Sequence, residues 1–173
     1  MSYTHKTIPI LRQRRQCGGG SVMIWGMVMS NGLVVTKVIE GHLNSEKYVE
    51  LLKHFAVPCM NLNYKDYSFV QDNSPVHTAK IVKEFVRKSS LNVLEWPAKS
   101  PDINIMENVW KMLSDIVYSG DQPPNIAILK RRISLAVEKI NTDKREVILS
   151  LYASIRRRLT TVLVSKGNIY KET

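Results

Sequence analysis

From Ser21 the chain reads SVMIWGMVM, breaks at Ser30-Asn31-Gly32 and resumes as LVVTKVI. Two β-prone runs joined by Asn-Gly predict a hairpin, because that dipeptide adopts the positive φ a tight turn requires. Apolar positions then recur at helical spacing in LNSEKYVELLKHFAV, with Tyr48, Leu51, Leu52 and Phe55 on one face and Ser45 as the expected N-cap. YSFVQ reads as a buried strand that ends at Asp72. A short helix is expected from Thr78 to Lys88 with Ile81, Val82, Phe85 and Val86 inward, and LNVLEW as a further strand. PAKSPD breaks the chain before a helix from Asn104 to Tyr118, in which Met106, Trp110, Leu113 and Val117 share a face.

Two more amphipathic helices complete the pattern. One spans 125–140 through Ile126, Leu129, Ile133, Val137 and Ile140; the other spans 143–159 through Val147, Leu151, Ile155 and Leu159. Hairpin, helix, strand, helix, strand, helix is an α/β order, which predicts a mixed sheet covered by helices. The division expected is a sheet-containing unit over 1–120 and a basic helical extension over 121–173 packed on the same unit. No internal repeat interrupts this order.

Charge adds a partner. The 173 residues carry a net charge of +10, and the excess sits at the ends. Residues 1–20 hold Lys6, Arg12, Arg14 and Arg15 with no acid, while 130–173 hold eleven Lys and Arg against four acids. Such ends suit an anionic partner, nucleic acid ahead of a membrane surface. No apolar run is long enough to span a bilayer, and the N-terminus lacks the order of a signal peptide, so the expectation is a soluble, intracellular protein. Cys17 and Cys59 have neither disulfide-framework nor zinc-site spacing. LKRR and IRRRL read either as solvated helix faces or as nuclear-import signals.

Asp72 stands where a buried strand runs out into Asn73-Ser74-Pro75, so it is either an Asx-turn residue or a metal ligand. Glu107 lies in the first turn of a helix, where acids are favoured by the helix dipole alone. The two are separated by 34 residues, room for one short helix and one strand. That path brings a strand tip and the next helix start to one sheet edge, where carboxylates are able to hold Mg²⁺ or Mn²⁺. His77 reads as a helix-start histidine satisfied by backbone, or as a group touching phosphate or metal. Trp25, Trp96 and Trp110 read as core, and Gly18, Gly19 and Gly20 as a flexible strand entry.

In order along the chain, GGGSVMIWGMV, QDNSPVHTAK and WPAKSPDINIMENVW, with 34 residues between the Asp and the Glu, resemble the catalytic domain of Tc1/mariner-type transposases. The basic segment ending LVSKGNIY resembles that family's C-terminal end. The resemblance implies a ribonuclease-H-like fold and the cutting and rejoining of nuclear DNA with two Mg²⁺ or Mn²⁺ ions held by three acids. Asp72 matches the second acid and Glu107 the third, with Asn73, His77 and Asn108 as supports. It also assigns DNA contact to Arg12, Arg14, Arg15, Lys130, Arg131, Arg132, Arg156, Arg157 and Arg158. The first acid belongs on an opening central strand upstream of the hairpin, but residues 1–39 contain no Asp or Glu. The expectation is therefore a truncated domain that lacks its first, central strand, is catalytically silent and tends to self-associate through exposed strand edges. Only KTIPIL, residues 6–11, offers a local replacement. Ile105 replaces the usual Pro, and the helix-turn-helix region that reads transposon ends is not seen. The alternative is a non-catalytic DNA-binding or chromatin-associated module derived from such a transposase.

Overall fold

The computed structural model describes residues 2–5, 10–12, 21–61, 68–89, 91–94 and 104–164. Its strands are β1 (Ser2–His5), β2 (Ile10–Arg12), β3 (Ser21–Val28), β4 (Val34–Ile39), β5 (Ser68–Gln71) and β6 (Val93–Leu94). Its helices are α1 (Ser45–Leu51), α2 (Val57–Asn61), α3 (Pro75–Thr78), α4 (Lys80–Lys88), α5 (Ile105–Val117), α6 (Ile126–Asp143) and α7 (Arg145–Val164). α1 and α2 are joined by one wide π turn over Leu52–Ala56. Pro58 lies just beyond it and has no N–H to return to the carbonyl four residues back, a local cause for the widened ladder.

β3 and β4 form the predicted hairpin, antiparallel from Met23↔Ile39 to Val28↔Val34. Gly32 has φ 85°, its N–H donates to the Met29 carbonyl at 2.9 Å, and the Asn31 side chain accepts from Leu33 N–H at 3.1 Å. Both members of the dipeptide therefore close the turn. On its other side β3 meets β1 through Thr4↔Val28 and His5↔Met27, and β2 through Ile10↔Met23 to Arg12↔Ser21. β1 also runs parallel to β5, from Ser2↔Ser68 to His5↔Gln71, and β5 parallel to β6.

This pairing corrects the expectation of a vacant centre. Ser2–His5, not residues 6–11, lies between β3 and β5. Its backbone bonds both neighbours, which is what a central strand must do, whereas among the described residues Ile10–Arg12 pairs with β3 alone. Residues 6–9, like Arg14, Arg15, Gly18–Gly20 and Trp96, lie outside the described residues.

β3 is buried on both faces. Val22, Ile24 and Val28 enter one cluster with α5, α6 and α7, while Trp25 and Met27 enter another with Tyr48, Leu52, Phe69 and Val82. The alternation follows from the two-residue period of a strand, and the near-continuous apolar run follows from its having no solvent face. The C-terminal helices share this core and are tied to the hairpin by hydrogen bonds. Asn141 accepts from Val34 N–H at 2.8 Å and donates to the Val34 carbonyl at 2.9 Å. Tyr152 donates to the Val28 carbonyl at 2.9 Å, and Arg145 to the Asn31 carbonyl at 2.8 Å.

Three local expectations shift. The cap of α1 is Asn44, whose side chain accepts from Lys47 N–H at 2.9 Å, rather than Ser45. The helix expected from Thr78 begins earlier, at Pro75, and breaks at Ala79, where ψ is 147°. That break resets the face of α4, so Val82 is fully buried and Ile81 is 42% exposed. In α7 Ile148 is buried and Val147 is 43% exposed, while Leu151 and Ile155 pack against the core as expected, so the stripe shifts at its first position.

A Cβ built on Gly26 of β3 would stand 2.4 Å from Cη2 of Trp110 and 3.2 Å from Cε of Met106. The glycine lets α5 lie close against the sheet. Gly26→Ala is therefore expected to destabilise the fold by about 1–3 kcal/mol through overpacking, read from urea unfolding midpoints. Trp110→Phe in the same chain should recover part of the loss. It removes the clashing ring edge and an indole N–H that has no acceptor among the described residues.

Candidate functional site

β5 ends at Gln71 and releases Asp72 into a turn that its own carboxylate closes: Oδ1 accepts from Ser74 N–H at 3.0 Å. Pro75 starts α3 with the φ that a first helical turn needs. The His77 and Thr78 N–H groups donate to the Ser74 carbonyl, each at 3.0 Å. This single turn brings His77 back over Asp72, with Nδ1 2.7 Å from Oδ1 and 3.2 Å from the Asp72 carbonyl oxygen. Both partners are acceptors, so Nδ1 carries a hydrogen in this contact.

His77 is 1% exposed and stacks on Tyr48 of α1, with ring centroids 4.2 Å apart. The Tyr48 hydroxyl donates to Oε1 of Gln71 at 2.6 Å. α1 thus braces the strand tip from two directions, through the stacked imidazole and through the residue preceding Asp72. Burial pushes the Tyr48 hydroxyl well above its ordinary pKa, and the nearby Asp72 charge adds to this, so it stays a neutral donor. Burial also pulls Asp72 upward, but the His77 hydrogen bond and charge and the Ser74 hydrogen bonds outweigh it. Its carboxyl therefore lies below the usual range and is ionised at neutral pH.

Asp72, Asn73 and His77 lie together at the strand tip, and of the two readings of Asp72 the turn is the one seen. The Asx turn is formed, and the same carboxylate is also paired. Tyr48 and Gln71 were missed, since helical spacing marks Tyr48 only as core. Glu107 is exposed on the first turn of α5, next to the fully buried Met106. Asn104 caps that turn by accepting from Met106 N–H at 3.0 Å. Ile105 is fully buried, so in place of a proline an apolar anchor fixes the helix start. Asn108 is half-buried on the same helix.

The basic residues separate. Arg131 and Arg157 are exposed and Lys130 is half-buried. The Arg132 guanidinium donates to the Val117 carbonyl at 3.3 Å and the Asp121 carbonyl at 2.5 Å, so it serves the C-terminal end of α5. Arg158 is 4% exposed, which corrects its assignment to a DNA-facing surface. Arg12 lies on β2, and its side chain, like that of Arg156, is outside the described set.

Among the described residues no three of His, Cys, Asp and Glu gather closely enough to hold a metal ion, and no helix is long and apolar enough to cross a membrane. The carboxylate oxygens of Asp72 are nevertheless the donors that Mg²⁺ and Mn²⁺ prefer.

Known proteins resemble this chain in sequence and in fold. The DDE superfamily endonuclease family model matches residues 5–130. The Tc3 transposase of Caenorhabditis elegans is 32% identical over 162 residues, covering 92% of this chain and 48% of the relative. The Tcb1 transposase of Caenorhabditis briggsae is 32% identical over 151 residues, covering 87% and 54%. The chain thus spans about half the length of the curated relatives it matches. The Mos1 transposase catalytic domain, solved with raltegravir and Mn, superposes with a TM-score of 0.74 at 16% identity, covering 98% of this chain and 84% of that one. The catalytic core of BIV integrase gives 0.56 at 16% identity, covering 82% and 84%. The fold is ribonuclease-H-like, and the chain belongs to the DDE superfamily endonucleases, within the Tc1/mariner transposases.

Proposed function

We propose that this chain is a DNA-binding transposase catalytic domain in which Asp72 and Glu107 hold a divalent cation, Mg²⁺ or Mn²⁺, against DNA phosphate, and that it acts in the nucleus. The observation that carries the reading is Asp72 itself: a carboxylate kept ionised at a strand tip by a buried histidine, in a chain of this family. Sheet register adds support. Gln71, His5 and Met27 form one row across β5, β1 and β3, one residue from the Gly26 against which Met106 and Trp110 pack. Glu107 is the neighbour of Met106, so the start of α5 and the tip of β5 lie at a similar level of the sheet.

When bound, such an ion polarises phosphoryl oxygens and steadies charge on the attacking and leaving oxygens. The chain's own part is to present an ionised Asp72, to hold its orientation through His77 and Ser74, and to attract the DNA backbone with its exposed cations. β1, at the centre of the sheet, contributes Ser2, Tyr3, Thr4 and His5 and no carboxylate. Two acids with none on β1 leave transition-state stabilisation weak, so strand cleavage by this chain is expected to be silent. A β1 without a carboxylate equally favours the second reading, a module that binds DNA without cutting it.

Mn²⁺ binding followed by electron paramagnetic resonance should be lost in Asp72→Ala and weakened in Glu107→Ala; binding indifferent to both substitutions overturns the site. Supercoiled plasmid should remain intact with the chain and Mn²⁺. Nicking that Asp72→Ala abolishes would show that two acids suffice.

The electrostatics of Asp72 give a second expectation. Its folded pKa lies below the ordinary 3.8, so its stabilising contribution is complete above that value and is lost as pH falls through the folded one. Asp72→Ala should cost about 1.5–3 kcal/mol at pH 7 as a charge-assisted hydrogen bond is removed. The difference from the parent chain should close below pH 3.8 when thermal unfolding is followed in acid.

A further inference from the structure

We propose that the cleft beside the tip of β5 carries the backbone of the DNA strand as it leaves Asp72, with Lys83 and Arg87 of α4 meeting its phosphates. This rests on the reading of Asp72 above. The cleft has a volume of about 450 Å³ and runs from Asn73 and His77, the residues flanking Asp72, to Val86 and Leu94. Lys83 and Arg87 both line it, one helical turn apart and hence on one face of α4. No carboxylate lines it among the described residues.

The charges on α4 are sorted. Lys88 is neutralised by Glu84 at 2.7 Å, whereas neither Lys83 nor Arg87 meets a carboxylate among the described residues. A favourable end-of-helix dipole accounts for Arg87, which lies in the last turn, but not for Lys83 in the first. Two uncompensated cations facing one cleft repel each other, and an anion running between them relieves that repulsion.

The rest of the lining selects the kind of anion. Leu94 is 47% exposed and, with Val86, forms an apolar strip beside the cations. A free phosphate leaves that strip in water, whereas a nucleotide chain covers it with sugar and base while its phosphates reach the cations, the combination found in strand-binding grooves. Continuity with Asp72 favours DNA over an acidic peptide.

The test measures binding of a fluorescein-labelled DNA single strand to the full chain by anisotropy across a salt series. Lys83→Ala/Arg87→Ala should weaken binding and lower the slope of log affinity against log salt by about 1.4, two contacts at about 0.7 each. Lys83→Arg/Arg87→Lys should keep the parent slope, and so should Lys88→Ala, which removes a charge already paired. The inference is overturned if the double alanine variant, folded by circular dichroism, keeps the parent slope, or if Lys88→Ala lowers it equally. It is also overturned if polyglutamate binds with the same two-residue dependence while DNA does not. Parent chain that binds Mn²⁺ through Asp72 but shows no effect of Lys83 and Arg87 sinks this inference alone. A parent chain that binds no DNA sinks both readings.

Discussion

Every layer of the protein is packed against β3, whose even-numbered side chains face α5, α6 and α7 and whose odd-numbered ones face α1 and α4. Burying each of these large side chains contributes about 1.5–3 kcal/mol, and a polar replacement without a partner costs about as much or more. The strand therefore has no freedom to shift register, since a slip of one residue would exchange the two cores. Because β1 pairs with β3 and β5 pairs with β1, the level of Asp72 is set by this same strand. The site inherits its position from a core that contains none of its chemistry.

The imidazole of His77 links the core to the chemistry. One of its faces lies on Tyr48, part of the second cluster, while its edge meets the carboxylate. A carboxylate at a strand tip otherwise rotates between rotamers and draws water to itself. Here the ring and the Asx turn hold it in place. The same geometry keeps the ionised form favoured despite partial burial, so rigidity and charge have one origin.

The sequence makes some of this readable and hides the rest for physical reasons. Asn31-Gly32 announces the hairpin because few dipeptides accept that turn. α5 and α6 announce themselves because their apolar positions fall on a single face. In α7, Val147, Ile148, Leu149, Leu151 and Tyr152 offer more than one apolar stripe, and only packing against the sheet selects Ile148. In α4 the break at Ala79 fixes the phase, and nothing in KIVKEFV reveals it. β1 is hidden because Ser2-Tyr3-Thr4-His5 has little hydrophobic pattern. Its place comes from hydrogen bonds to two strands remote in sequence. The candidate site divides the same way: Asp72 and His77 are five residues apart and legible, while Tyr48 comes from another helix through a stack that spacing cannot encode.

Asn141 has a consequence for how the sheet meets other molecules. It bonds both the N–H and the carbonyl of Val34, so these groups point away from β3. By the alternation of an antiparallel ladder the next outward-pointing residues are Thr36 and Val38. The amide acts as a doorstop at the head of the open edge, occupying the first rung on which a guest strand would begin to zip. What remains is two rungs with a lysine, Lys37, between them, too short a ladder for a second sheet to extend. The free ladder on β4 is thereby cut short at the edge farthest from Asp72.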